Sequence, residues 1–177
     1  MPEPIPQARL PVWPLIAAAA ALVLGLALLR DRAQKTDVAP ALKLTRLDGK
    51  EQELKRGTVT VVDFWATWCA PCRASMPRVQ SVLREYGPKG VELFSVDTDA
   101  ESADRDPTVR EFLMQNRLEF PVALDNGAAQ DAFKVSMLPT MLVVGKQGTI
   151  AWKHVGVLGA TEEQQLRRAL DDALASK

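Results

Sequence analysis

Only two cysteines occur in the 177 residues, Cys69 and Cys72, and they stand two residues apart where a strand pattern gives way to a helix pattern. Ahead of them, Thr58-Val59-Thr60-Val61-Val62-Asp63-Phe64 is rich in β-branched residues and almost continuously apolar, which predicts a central strand covered on both faces. Behind them, Met76, Val79, Val82, Leu83 and Tyr86 recur at helical spacing and predict a helix from about Pro71 to Tyr86, with Pro77 as a kink. The pair therefore falls at a helix N-terminus.

Several uses of such a pair fit poorly. A closed zinc site needs four ligands, and beyond the two cysteines the chain offers one histidine, His154. Covalent haem attachment needs histidine directly after the second cysteine, and that residue is Arg73. A purely structural disulfide closing so short a loop would restrict the unfolded chain by only about 2 kcal/mol. Redox chemistry fits the placement better, because unpaired N–H groups and partial positive charge at a helix start favour the thiolate, the nucleophile of disulfide exchange.

Helix geometry places Cys69 at the exposed tip and Cys72 one turn in, so Cys69 is expected to attack and Cys72 to resolve. Ala70 and Pro71 shape the loop between them. Trp65 reads as core packing, Trp68 as part of a client-binding surface, His154 as an exposed strand residue, and Arg73 as a cation that either favours a thiolate or is solvated.

Further along, strands alternate with helices, the signature of an α/β domain. Leu42, Leu44 and Leu47 with Asp48-Gly49 predict a short strand entering a turn, Val91–Val96 and Pro121–Leu124 predict strands, and Thr108–Asn116 and Ala128–Phe133 predict helices. Met141–Val144 and Thr149–Lys153 around Gly145-Lys146-Gln147-Gly148 predict a hairpin. A last helix carries Leu166, Leu170 and Leu174 as its buried stripe, with Thr161 and Gln164 as a capping pair.

The first forty residues have another character. A Pro-rich tail, residues 1–11, precedes Val12–Leu29, which contains no charge and as a helix would span roughly 27 Å at about 1.5 Å per residue, against about 30 Å of bilayer hydrocarbon. Residues 12–29 are therefore expected to be a transmembrane anchor in the lipid bilayer, 30–40 a polar linker and 41–177 the folded domain. The apolar run is longer than the core of a usual signal peptide and lacks a clean small-residue cleavage site. The amine terminus and Arg9 precede it and Arg30, Arg32 and Lys35 follow, so charge alone leans slightly against an outward-facing domain. Lysine plus arginine and aspartate plus glutamate both number 22, leaving no basic excess to neutralise phosphates, and nucleic acid is excluded as an expected partner.

The segment Val62-Asp63-Phe64-Trp65-Ala66-Thr67-Trp68-Cys69-Ala70-Pro71-Cys72-Arg73, then Met76-Pro77 and Leu138-Pro139-Thr140, resembles the thioredoxin superfamily. The order of these motifs from about Pro40 to Ala175, with an extra helix and strand between Thr108 and Leu124, is similar to the TlpA/ResA group of membrane-anchored thiol–disulfide oxidoreductases. That resemblance implies a thioredoxin-like α/β fold with a mixed central sheet flanked by helices. It also implies a catalytic domain on the periplasmic or exterior face of the cytoplasmic membrane, and a reducing role toward client protein disulfides, as in cytochrome c or copper-site maturation. A membrane thiol-electron donor would resupply electrons, with no cofactor and no metal beyond the Cys69–Cys72 disulfide. By the same resemblance Asp63, whose pKa burial should raise, takes the proton of Cys72, and Pro139 is cis, leaving the Leu138 main chain to bind an extended client. The TlpA/ResA group often has asparagine at the Asp63 position and glutamate at that of Ser75, and thioredoxins carry a lysine on the strand where this chain has Phe94-Ser95-Val96.

Other classes remain open on these residues. A periplasmic oxidant or isomerase would use the same pair in another direction. A Cu(I)-binding assembly factor would use the two thiols as soft ligands, although no further histidine or methionine ligand stands near them. A thiol peroxidase would need a lone peroxidatic cysteine rather than a vicinal pair.

Overall fold

The computed structural model describes residues 37–176. The predicted tail, the span 12–29 and the linker up to residue 36 lie outside the described residues. Among those described, no helix is long and apolar enough to cross a membrane.

Among the described residues there are seven strands and four helices, with a short 3-10 turn at Gly87–Lys89. β1 (Lys43–Thr45) and β2 (Glu51–Glu53) form a small antiparallel ribbon. The main sheet contains β3 (Val59–Trp65), β4 (Val91–Asp97), β5 (Val122–Leu124), β6 (Thr140–Val144) and β7 (Ile150–Val155), in the order β5-β4-β3-β6-β7. β3, β4 and β5 run parallel, and β6 and β7 add antiparallel. As its apolar composition predicts, β3 is the central strand and is buried along its whole length. Charged β2 carries no apolar periodicity and escapes the sequence reading; it exists because its register partner β1 is next to it.

The helices are α1 (Ala70–Tyr86), α2 (Arg105–Gln115), α3 (Ala128–Ala132) and α4 (Ala160–Ala175). Val59 and Val61 of β3 and Met141 and Val143 of β6 face α1 and α4, meeting Val79, Val82, Leu166 and Leu170 in one core. The alternate residues Val62, Phe64, Leu142 and Val144 face the other side and pack with Leu42, Ala129 and Phe133. This is the period-2 division of a sheet covered on both faces.

Three boundaries differ from expectation. α2 starts at Arg105 rather than Thr108, since Pro107 is tolerated in a first turn whose N–H groups have no helical partners and buried Arg105 pins the start. α4 starts at Ala160 with Gly159 in the N-cap position, so Thr161 lies inside the first turn and caps nothing; buried Leu158 sets the chain's direction there. The folded part also begins before residue 41. Val38 forms a bridge to Thr149, Ala39 N–H donates to Gly148 O at 2.8 Å, and Ile150 N–H donates to Asp37 O at 2.8 Å. This junction works because Gly148 turns with φ +78°, which an L side chain rarely adopts. By register it lies at the Thr60 and Val144 end of the sheet, whereas the cysteine loop leaves β3 at the other end.

Candidate active site

β3 ends at Trp65, and after three residues Cys69 takes the N-cap position of α1, with Pro71 in the first turn. Proline suits that place because its missing N–H would have no helical partner. Cys69 and Cys72 form a disulfide, and Cys72 N–H points at Cys69 Sγ at 3.2 Å. That contact aims a helix-terminal donor at the sulfur expected to carry negative charge.

Both sulfurs lie deeper than the exposed-tip expectation: Cys69 is 4% exposed and Cys72 1%. What distinguishes them is a groove of about 550 Å³ whose lining includes Trp68, Cys69, Ala70, Pro71, Met137 and Leu138. It opens on Cys69 and not on Cys72. Trp68, 70% exposed, forms one wall.

The opposite wall comes from the loop into β6. The Leu138–Pro139 peptide bond is cis, as expected, and Thr140 pairs with Phe64 of β3, so this loop leaves the sheet at the same end as the cysteines. Thr140 Oγ1 donates to Met137 O at 2.7 Å, and Gly156 N–H donates to Pro139 O at 2.9 Å, fastening the loop on both sides of the proline.

Beneath the pair, Trp65 is fully buried as expected, stacked on Phe112 with ring centroids 5.2 Å apart, and its indole N–H donates to Ser95 Oγ at 2.7 Å. Asp63 lies two residues earlier on the same face of β3, opposite Ser95 in the parallel register. Burial alone pushes its carboxyl up to about 7. Arg73 lies with its guanidinium carbon 5.7 Å from the Phe112 ring centroid. His154 is half-buried against Trp152, not simply exposed, with ring centroids 5.7 Å apart.

Two anchoring groups were not anticipated from the sequence. Ser75, read only as a departure from the family pattern, is buried; its hydroxyl donates to Pro71 O at 3.1 Å and accepts from Leu158 N–H at 2.9 Å, tying the cysteine turn to the segment before α4. Asp99, just past β4, accepts from Thr67 N–H at 3.1 Å and from Thr67 Oγ1 at 2.7 Å. The Ser-x-x-x spacing back to Pro71 is a weak signal for the first; nothing local marks the second, whose partner is 32 residues away.

A dithiol-forming pair at a helix start, a cis-proline loop facing it and a parallel-antiparallel sheet agree with what known proteins show. The AhpC/TSA family model matches residues 36–153. The chain belongs to that family. Within it, the chain stands among the thioredoxin-like thiol–disulfide oxidoreductases. It is 35% identical over 130 residues to the thiol-disulfide oxidoreductase ResA of Bacillus cereus, covering 72% of this chain and 73% of that protein. It is 31% identical over 134 residues to the thioredoxin-like protein YneN of Bacillus subtilis, covering 75% of this chain and 78% of that protein. Among solved structures, a putative thiol:disulfide interchange protein DsbE from Chlorobium tepidum superposes with a TM-score of 0.70 at 32% identity, covering 80% of this chain and 99% of that one. The thioredoxin-like fold, a mixed sheet with helices on both faces, is therefore the family's fold carried on this sequence.

Proposed function

We propose that this AhpC/TSA-family protein reduces disulfides of client proteins outside the cytoplasmic membrane, held there by residues 12–29, with Cys69 and Cys72 as its only redox group. The observation that carries the reading is the groove that opens on Cys69 while leaving Cys72 enclosed. A client segment lying between Trp68 and the Leu138–Pro139 loop brings its disulfide to Cys69 and not to Cys72.

In the reduced protein, the Cys69 thiolate attacks one client sulfur. A Cys69–client disulfide forms, the client S–S bond breaks, and the departing sulfur takes up a proton. Cys72 passes its proton to Asp63, and its thiolate then attacks Cys69 Sγ, forming the Cys69–Cys72 bond and releasing the second client sulfur, which is protonated in turn. Two electrons go from protein to client; of the two protons the client sulfurs take up, one is the Cys72 proton released again by Asp63 and the other comes from solvent, because Cys69 reacts as its thiolate. A carboxyl poised near 7 suits the proton transfer, since a general base works best with a pKa close to the working pH. A membrane thiol donor would then restore the dithiol. Clients in cytochrome c or copper-site maturation fit this role.

The reduction potential of residues 37–177, measured by equilibration with glutathione or dithiothreitol, tests the direction. A value near or below about −250 mV supports a reductant, and one above about −150 mV makes the protein an oxidant instead. Failure of the pair to form its intramolecular disulfide in solution would transfer the reading to a Cu(I)-binding factor. Location is tested separately: full-length protein should stay with the membrane fraction after alkaline carbonate washing and lose its catalytic domain to protease added from outside.

A further inference from the structure

A buried polar cluster lies behind the loop that carries Trp68 and Cys69, and the exchange steps do not use it. Asp97, fully buried at the end of β4, accepts from Arg105 Nε at 2.9 Å. Arg105 also donates to Asp97 O and Asp125 O at 2.7 and 2.8 Å, and to Asn126 Oδ1 at 2.7 Å. Asp99 follows two residues later, also buried, and its own N–H points at Asp97 Oδ1 at 3.4 Å.

Of the two aspartates, Asp97 alone holds the arginine. Asp99 is left with the Thr67 amide and hydroxyl as its donors, both on the loop just ahead of Cys69. Its charge is felt by its neighbour: Asp97 is pushed up to about 6, first by burial and next by the Asp99 carboxylate, against the opposing pull of Arg105. Only Trp68 lies between Thr67 and Cys69, at most about 7 Å of chain. Asp99 is buried and bound to the segment that presents the Cys69 sulfur, so water screens its carboxylate less than it would a surface charge.

We propose that Asp99 is a positioning residue that holds the Thr67–Trp68 approach to Cys69, and that its buried negative charge disfavours the Cys69 thiolate, biasing the couple toward the reductant side. This rests on the exchange reading above and deepens it by naming what sets the direction of electron flow. The helix start and Arg73 pull the other way, toward thiolate; against them stand Asp99 and Asp63, the latter with its carboxyl pushed up to about 7 by burial beneath the pair. The sign is fixed by linkage: removing a nearby negative charge stabilises the thiolate, and stabilising the reduced form makes the couple more oxidising.

The test compares wild type with Asp99→Asn, Asp99→Glu and Thr67→Val, reading the pH dependence of Cys69 alkylation in the reduced protein and the equilibrium with glutathione. Asp99→Asn should lower the Cys69 thiol pKa and shift the equilibrium about tenfold toward the reduced protein, which is about 30 mV for a two-electron couple. Asp99→Glu, which restores the charge, should stay within about threefold of wild type. Thr67→Val removes a hydrogen bond and leaves the charge, so it should not lower the Cys69 thiol pKa, and this arm holds even where Asp99→Asn does not fold. An unchanged Asp99→Asn, or a Thr67→Val that lowers the pKa as Asp99→Asn does, overturns the inference. Wild-type protein that does not equilibrate with glutathione at all would remove the exchange reading itself, a separate outcome.

Discussion

Asp63 is the residue whose surroundings most alter its chemistry. A carboxyl moved by burial from 3.8 to about 7 is ionised at the expense of the fold whenever the pH exceeds its folded value. The folded pKa is raised, so this group's contribution favours the folded state below about pH 4 and is lost as the pH rises through about 7. Asp97, raised to about 6, acts in the same direction. Asp63→Asn should therefore stabilise the protein by up to about 4 kcal/mol above pH 8 and by little at pH 4, visible as a urea midpoint that no longer falls as steeply with pH. The same substitution should slow release of trapped client by about a hundredfold near pH 7. Equal slowing at every pH would argue against a proton acceptor. The two cysteines separate just as sharply: Cys72→Ser should accumulate a mixed disulfide with client, seen on a non-reducing gel, whereas Cys69→Ser should capture none.

Among the elements, α1 carries the chemistry and is held at both ends. Its first turn is tied by Ser75 to Leu158, and its last turn by the Tyr86 hydroxyl, which donates to Asp171 Oδ1 of α4 at 3.0 Å. The Ser75 tie matters more, because it satisfies a buried main-chain N–H. Ser75→Ala should cost about 1–3 kcal/mol in denaturant unfolding, since it leaves the Leu158 N–H without a partner. On the same helix pair, Leu170→Ala in α4 should cost about 2–5 kcal/mol by opening a cavity against β3 and β6. A Ser75→Ala protein as stable as wild type would mean that water replaces the hydroxyl.

For the whole molecule, the chain joins the sheet at one end and presents the disulfide at the other, with β3 and β6 running between them. Residues 37–39 are part of that arrangement and not a free tether. A domain beginning at residue 41 should therefore be about 1–3 kcal/mol less stable than one beginning at residue 37, because the hydrogen bonds to Gly148 and Ile150 are lost. Matching urea midpoints would show that this edge pairing adds nothing.

The sequence by itself determined the fold class, the central strand, the helix that starts at the cysteines, and Cys69, Cys72, Asp63 and Pro139 as the positions to watch. The strand, the helix and the cysteine pair are local features, a run of β-branched residues, an apolar stripe at helical spacing and two cysteines one turn apart, whereas the interest of Asp63 and Pro139 came from the resemblance to a family. Only the tertiary structure decided the rest. β2 has no pattern of its own and is made by its partner, α4 is started by a buried leucine rather than by a threonine cap, and Cys69 is distinguished from Cys72 by the groove above it rather than by exposure. Ser75 and Asp99 gained their roles in the same way, from partners 83 and 32 residues distant. A hydrogen bond between groups so far apart leaves no periodicity in the chain, because its geometry exists only once the sheet has brought the ends of β3, β4 and β6 together.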